Sequence, residues 1–242
     1  MKTRILFLCA LSFGLVGFVG LANAEVIQRD FDGFSVWIDC ERDGAIRFEY
    51  TAVADTGSLA RMQSFTIDTE LPPGCGQTSS KTYRGAPSGY DRGHLVPANH
   101  LDHLKDGIRQ SNIMTNILPQ ARNMNRGAWL KTEEIIECHR DLKDLRVIGG
   151  VIWGFNPHDD FFLGTHSVAT PDYFWKVVIS DEDAIAWIVP NSQDAKRGML
   201  DRYLVSIEEL EQVTNENFDL PENLRKKRHA RSWPVPRGCD FG

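Results

Sequence analysis

Three residues near the middle of the chain lie four positions apart, which is close to one turn of an α-helix. Asn125, Trp129 and Glu133 form this series, and a helix would stack them with only a slow drift around its axis. Upstream, residues 91–94 (Asp-Arg-Gly-His) place a histidine beside an arginine on a segment that we interpret as tight and glycine-containing. The two patterns together predict a loop that carries an imidazole and a helix that carries an amide and a carboxylate.

His94 is the candidate general base of this loop. A neutral imidazole can take a proton from attacking water near pH 7 without strong tuning of its pKa. Arg92 would bind phosphate or hold the loop, because its planar fork matches phosphate oxygens, and Asp91 would orient Arg92 or the backbone. A structural histidine is the alternative, and it is the better interpretation for an isolated histidine. We expect His94 to lie outside the packed core.

Asn125 is the candidate ligand of a divalent metal ion. Magnesium keeps several of its waters and uses few protein ligands, and a neutral ligand leaves the ion's charge available to a phosphate. Glu133, two turns further along the helix, would hold one of the metal's waters. A helix N-cap for Asn125 and a solvated helix face for Glu133 are the alternatives. The joint presence of base, cation, amide and carboxylate favours hydrolysis of phosphodiesters.

The first 24 residues have the pattern of a secretory signal peptide. Two basic residues precede an apolar run over residues 5–21, and Ala-Asn-Ala at 22–24 offers a cleavage site after Ala24. An uncleaved membrane anchor is the alternative. We therefore expect a secreted or periplasmic protein without stable membrane association after cleavage. Residues 25–242 would form a single domain.

Four cysteines remain once the leader is removed: Cys40, Cys75, Cys138 and Cys239. In an exported chain they predict two disulfides, for which three connectivities are possible. We favour Cys40 with Cys75, which leaves Cys138 with Cys239. A zinc site is the alternative, but the sequence has no C-x-x-C pair to support it.

The charge balance limits how the protein can attract nucleic acid. The full chain has a formal net charge of −6, with 27 basic and 33 acidic residues. Loss of the two leader cations leaves 25 basic residues against 33 acidic ones, or −8. A net-acidic protein has no global attraction to phosphates, so binding would need a local basic cleft and a divalent cation. The basic tail at 225–231 could contact phosphates, although such runs are more often solvated surface.

Hydrophobic periodicity predicts a mixture of strands and helices. Strands are predicted at 34–39 and 46–53 with a turn at Asp43-Gly44, and at 147–153, 174–179 and 184–189. Helices are predicted at 123–141, with Trp129, Leu130 and Ile136 facing inward, and from a capping box at 206–209 to residue 213. Residues 71–90 are predicted to form a long loop. Because strands and helices do not alternate regularly, the fold class is α+β.

Three sequence motifs resemble those of one known family. Residues 90–98 (Tyr-Asp-Arg-Gly-His-Leu-x-Pro-Ala) and 116–133 (Asn-x2-Pro-Gln-x4-Asn-Arg-Gly-x-Trp-x3-Glu) closely resemble the DNA/RNA non-specific endonuclease family. Residues 170–178 (Thr-Pro-x3-Trp-Lys-Val-Val) resemble its later strand motif. The resemblance runs from about residue 46 to residue 213. The family includes secreted bacterial sugar-nonspecific nucleases and mitochondrial endonuclease G.

The resemblance implies a ββα-metal (His-Me finger) fold, with a central, mainly antiparallel sheet flanked by helices. It implies that His94 is the base, that Asn125 is the sole direct protein ligand of Mg²⁺ (with Mn²⁺ as a substitute) and that Glu133 acts through a metal-bound water. Arg92 would assist at the phosphate. Arg61 matches, more loosely, the position of another arginine that stabilises the transition state.

The implied reaction is in-line attack on phosphorus by water that His94 activates, with Mg²⁺ stabilising the phosphorane and the leaving 3′ oxygen. The products would carry 5′-phosphate and 3′-hydroxyl ends. Some members have an arginine one turn beyond the glutamate, where this chain has Glu137; Arg122, Arg126 and Arg140 are its candidate replacements. The sequence contains no motif that reads base edges, so we expect contacts with the nucleic-acid backbone and little sequence preference. By resemblance, the substrates would include RNA as well as DNA.

Two other functions compete with this interpretation. A zinc hydrolase could use His94, His100 and His103, but their spacing matches no familiar zinc pattern. A non-catalytic nucleic-acid-binding or adhesive protein on a nuclease-derived fold would bind DNA without cutting it. The complete set of His94, Asn125 and Glu133 argues against that loss of activity.

Overall fold

The computed structural model describes residues 25–84 and 88–240, so the predicted signal peptide at 1–24 lies outside the described residues. The strands are β1 (Val26–Phe31), β2 (Phe34–Asp39), β3 (Gly44–Ala52), β4 (Tyr90–His94), β5 (Ile117–Ala121), β6 (Leu145–Ile152), β7 (Tyr173–Ile179), β8 (Ala184–Pro190) and β9 (Leu204–Val205). The helices are α1 (Lys105–Gln110), α2 (Arg122–Met124), α3 (Leu130–Arg140), α4 (Leu163–His166), α5 (Ile207–Thr214) and α6 (Glu222–Arg225). A π-helical turn, Asn125–Trp129, joins α2 to α3.

A seven-stranded sheet in the order β1-β2-β3-β6-β7-β8-β9 forms the centre, and each neighbouring pair is antiparallel. Residues of β3 and β7 such as Phe48 and Phe174 pack in one core with β5 and α3. Trp175, which alternates with Phe174 along β7, lies in a second core with Ile207 and Leu210 of α5. The central strands are therefore covered on both faces, which explains why they form near-continuous apolar runs.

The strand predictions are confirmed, with one shift in the first hairpin. Gly44 was predicted to lie in the turn, but β3 begins at this residue. The turn ends one residue earlier at Asp43, which adopts φ 53°, a left-handed conformation that aspartate tolerates better than most residues. The predicted capping box is also present, because Ser206 and Glu209 exchange side-chain-to-backbone hydrogen bonds at the start of α5.

The segment 91–94 is a strand, and the expectation of a tight loop segment was wrong. It belongs to β4, which pairs antiparallel with β5 and places His94 opposite Ile117. The glycine is required by close approach: a Cβ at Gly93 would lie 2.1 Å from the side chain of Gln120 on β5. The unit β4–β5 is followed directly by the helix from α2 to α3, which gives a ββα arrangement.

The predicted helix at 123–141 is present as α2, the π turn and α3. Trp129 and Ile136 are buried as expected, but Leu130 is 37% exposed and does not face inward. The π turn adds a residue to the helical repeat and so rotates later positions relative to a regular α-helix. Asn125 lies inside this helix, and Ala121 occupies the N-cap, so the capping alternative for Asn125 was wrong.

Two disulfides link Cys40 to Cys75 and Cys138 to Cys239, which confirms the favoured connectivity. The second ties the C-terminal segment to α3, because Cys138 lies in that helix. Across residues 25–84 and 88–240, no helix has the length and apolar character needed to cross a bilayer.

Candidate active site

The protonation of His94 is defined by its two hydrogen-bond partners. The ring is buried, with 7% of the residue exposed, contrary to the expectation that it lies outside the core. Asn112 donates its amide hydrogens to the carbonyls of Met62 and Ser64, at 2.8 and 3.1 Å, so its Oδ1 must be the atom that faces the ring. Oδ1 lies 2.8 Å from Nε2 of His94. Nε2 therefore carries the proton and Nδ1 carries the lone pair that a general base needs.

Arg61 occupies the other side of the ring. Its Nη2 lies 3.2 Å from Nδ1 of His94, and a guanidinium can only donate, so this contact independently requires Nδ1 to be the acceptor. Burial, followed by the positive charge of Arg61, lowers the pKa of His94 to about 4. The imidazole is therefore neutral at physiological pH. No carboxylate of the described residues forms an ion pair with Arg61.

Trp129 joins the helix to the end of β4. Its indole Nε1 donates to the carbonyl of His94 at 3.1 Å, and its ring packs edge-on against Phe174 at 5.5 Å between centroids. The ammonium of Lys176 lies 3.8 Å from the centre of the same ring. The indole thus sets the distance between the strand that carries the base and the helix that carries Asn125 and Glu133.

Asp91 connects Asn125 to β4. The Asn125 side chain donates its Nδ2 to Asp91 at 3.2 Å, and the same carboxylate pairs with Arg126 at 2.7 Å and with Arg122 at 3.3 Å. Asp91 was expected to orient Arg92 or the backbone; it contacts the helix instead. Among the described residues, Oδ1 of Asn125 has no hydrogen-bond donor, so this oxygen is free to bind a cation.

The Glu133 carboxylate is half-buried and makes no hydrogen bond or ion pair within residues 25–84 and 88–240. Burial raises its pKa, while the charges of Lys176 and Arg61 favour the ionised form. Lys176 is fully buried, donates to Thr132 at 2.9 Å and has a pKa lowered by burial. The positive charge of Arg61 thus lowers the pKa of both His94 and Glu133.

Arg92 lies on a different side of the histidine. Its guanidinium carbon is 3.8 Å from the centre of the Phe65 ring, and that ring centre is 5.6 Å from the centre of His94. One of its nitrogens donates to the carbonyl of Ser80 at 2.7 Å. Arg92 forms no ion pair with a carboxylate of the described residues, and its remaining donors can contact an anion.

The three candidate replacements for the arginine that some family members have at position 137 differ in their exposure to solvent. Arg140 is fully buried and pairs with Glu137 at 2.6 Å, so it cannot contact substrate. Arg122 and Arg126 are exposed and share the carboxylate of Asp91. Only these two of the three proposed replacements can reach a phosphate.

The zinc alternative has no support in the geometry. His100 is buried, with Nδ1 2.8 Å from the hydroxyl of Tyr50 and Nε2 3.1 Å from Glu137, whereas His94 faces Arg61 and Asn112. Within the described ranges, no three His, Cys, Asp or Glu side chains are arranged to hold a metal ion.

Sequence reasoning missed three residues of this site. Asn112 gave no signal, because its partner His94 is 18 residues away and no repeat connects them. Phe65 lies in a segment without periodicity. Lys176 did carry a signal, since a lysine inside an apolar strand must find polar partners. The resulting group of base, free cation, free amide oxygen and carboxylate suits attack of water on an anionic diester.

Comparison with known proteins agrees with this chemistry. The sequence profile of the DNA/RNA non-specific endonuclease family matches residues 19–227. The chain is 28% identical to "Nuclease" of Nostoc sp. over 179 residues, 67% of this chain and 61% of the relative. It is 27% identical to "Nuclease" of Serratia marcescens over 202 residues, 78% of this chain and 75% of the relative. With human "Endonuclease G, mitochondrial" it shares 26% identity over 153 residues, 57% of this chain and 50% of the relative.

The antiparallel sheet, the β4–β5 pair and the helix that follows it form the ββα-metal fold of the DNA/RNA non-specific endonuclease family. The chain belongs to the DNA/RNA non-specific endonuclease family. The chain covers 40–61% of the length of the Nostoc relative and the first mitochondrial relatives.

Asp91→Ala is expected to weaken the response to Mg²⁺ by about 10–100-fold, because a side chain that orients a metal ligand affects affinity to that extent. The substitution frees the Asn125 amide to rotate. The measurement is the Mg²⁺ concentration for half-maximal plasmid cleavage, with unfolding temperature followed in parallel. Asp68→Ala is the matched control, since Asp68 also pairs with an arginine, Arg29. An unchanged Mg²⁺ requirement would exclude this role for Asp91.

Proposed function

We propose that this protein is an exported endonuclease that hydrolyses phosphodiester bonds of DNA and RNA with little sequence preference. His94 is the general base, and Asn125 binds Mg²⁺. The observation that carries the proposal is the neutral His94 ring, whose Nδ1 lone pair faces a cation that has no carboxylate partner in the described part of the chain.

In this proposal Arg61 must leave the His94 ring before His94 can act as the base. In the free protein Arg61 donates to Nδ1, so this nitrogen cannot yet accept a proton from water. An anionic phosphate is a stronger partner for a guanidinium than a neutral imidazole is. Substrate therefore draws Arg61 away, frees Nδ1 and removes part of the charge that lowers the pKa of His94. Nδ1 then takes the proton of the attacking water while Nε2 remains bonded to Asn112.

The residues around Asn125 suit a magnesium ion. Asn125 would bind it through Oδ1, and Glu133 would accept hydrogen bonds from its waters. When bound, the ion supplies positive charge that stabilises the phosphate and the departing 3′ oxygen, and Mn²⁺ can substitute. Arg92 and Arg61 hold the phosphate oxygens. When the bond to the 3′ oxygen breaks, this oxygen takes a proton from solvent water, which leaves a 5′-phosphate and a 3′-hydroxyl.

Export is supported by the two disulfides, which persist in oxidising compartments, and by the leader pattern of residues 1–24. We propose that cleavage after Ala24 releases residues 25–242 as one nuclease domain, either periplasmic or extracellular.

The proposal is tested with supercoiled plasmid and single-stranded RNA, each incubated with the mature protein in Mg²⁺ or in EDTA. We expect both substrates to be cut in Mg²⁺ and neither in EDTA. Binding of DNA without any product in Mg²⁺ or Mn²⁺ would contradict the proposal and favour the non-catalytic alternative. Cleavage in EDTA would exclude the metal.

The pH profile follows from the pKa of His94. The base must be neutral, so kcat/KM falls as the pH drops through the free-enzyme pKa of about 4. Arg61→Ala removes a cation that depresses this pKa, so the acid limb should move to higher pH. Arg61→Lys keeps a cation and should shift the limb less. Rates on plasmid, with circular dichroism recorded at each pH, test this; identical limbs for the wild type and Arg61→Ala would contradict the role of Arg61.

A further inference from the structure

A cleft of about 600 Å³ lies beside His94. Arg92 and Phe65, whose ring packs near the imidazole, form part of its lining. It is also lined by Lys81, Arg84 and His166, and its other lining residues are serines and threonines. None of the lining residues is acidic. In a chain with 33 acidic and 27 basic residues, a cleft of this composition attracts a negatively charged ligand.

The cations of the cleft are not neutralised within the protein. Lys81 and Arg84 are exposed, and like Arg92 they form no ion pair with a carboxylate in the ranges that the structure describes. The basic tail differs: Lys227 pairs with Asp183 at 2.8 Å and Arg228 with Glu209 at 3.0 Å. Lys81 and Arg84 are therefore available to an anion, whereas Lys227 and Arg228 are engaged in ion pairs.

The wall of the cleft is held in place although residues 79–84 form no helix or strand. The carbonyl of Ser80 accepts from Arg92, and the carbonyl of Lys81 accepts from Nε2 of His166 at 2.9 Å. The buried Tyr83 hydroxyl donates to Gln77 at 2.7 Å. These bonds position the segment before any ligand arrives, so an anion bound there loses little free energy to ordering the segment.

We propose that this cleft binds the nucleic-acid strand beside the bond that is cut, with Lys81 and Arg84 each contacting a backbone phosphate. The proposal rests on the proposed function, because it places the flanking strand relative to His94 and Arg92. Lysine, arginine and hydroxyl donors recognise phosphate oxygens and read no base, which is consistent with cleavage at many sequences. The ligand is thus the phosphate backbone of one strand of DNA or RNA.

The test compares Lys81→Ala/Arg84→Ala with Lys227→Ala/Arg228→Ala, which also removes one lysine and one arginine. Binding of a fluorescent single-stranded DNA is measured by anisotropy in EDTA, between about 50 and 200 mM NaCl. Each phosphate contact contributes about 0.7 to the slope of log K against log salt for a single strand. The cleft variant should therefore lose about 1.4 from this slope, so that wild-type affinity falls about seven-fold more than variant affinity over the range. The tail variant should retain the wild-type slope.

A cleft variant with the wild-type slope would overturn the proposal, and so would an equal loss in the tail variant, since that indicates a general charge effect. Cleavage of the same DNA by the wild type in Mg²⁺ is recorded in parallel. Absence of cleavage overturns the proposed function, whereas normal cleavage together with an unchanged slope overturns the cleft alone.

Discussion

His94→Gln is expected to lower kcat for plasmid cleavage by about 10²–10⁴-fold at neutral pH, which is the usual contribution of a general base. Glutamine can still donate to Asn112, but its amide cannot accept a proton from water. Alanine is a less clean test. It would leave the buried Oδ1 of Asn112 without a donor, at a cost of about 1–3 kcal/mol in stability.

The measurement is the single-turnover rate in saturating Mg²⁺, with thermal unfolding recorded for each variant. His158→Gln is the matched control, because His158 is exposed in the loop after β6. A His94→Gln protein that is folded and cuts at the wild-type rate would remove His94 from the reaction.

Cys138→Ser/Cys239→Ser should lower the free energy of unfolding by about 2–4 kcal/mol. This disulfide closes a loop of 101 residues, whereas the disulfide between Cys40 and Cys75 closes one of 35 residues. The chain-entropy dependence on loop length makes the first loss about 1 kcal/mol larger than the second. For a chain of this size the larger loss corresponds to a fall in Tm of roughly 4–16 °C.

Calorimetry of the two double variants, each with serine at both positions, measures these losses. Equal Tm values for the wild type and Cys138→Ser/Cys239→Ser would show that the C-terminal connection does not stabilise the fold. A larger loss for Cys40→Ser/Cys75→Ser would contradict the loop-length argument.

The sequence predicted the parts of the fold whose signals are local. The strands β6, β7 and β8 are apolar runs of the right length, and the Ser206 capping box opens a helix through the two residues that define it. The π turn has no such signal. Leu130 was predicted to face inward, but it lies about 100° around the helix axis from the buried Trp129 and is exposed.

The sequence predicted only part of the candidate site, because motifs identify residues but not the partners that they contact. His94, Asn125 and Glu133 follow from residue type and resemblance. The hydrogen bond from His94 to Asn112 and the contact with Arg61 span 18 and 33 residues and exist only once the chain is folded. Asp91 illustrates the same limit: strand geometry, which sequence reasoning took for a tight loop segment, turns its carboxylate to the helix and away from Arg92.

We propose that Asn125, through a bound divalent ion, and His94, through the attacking water, act on opposite sides of one phosphate. Anomalous scattering from Mn²⁺ in crystals of His94→Gln with a short DNA tests it directly. We expect one manganese peak bonded to Oδ1 of Asn125 and to a phosphate oxygen, with residue 94 on the other side of that phosphate. A manganese ion bound elsewhere, or a phosphate that does not lie between the ion and residue 94, would exclude this arrangement.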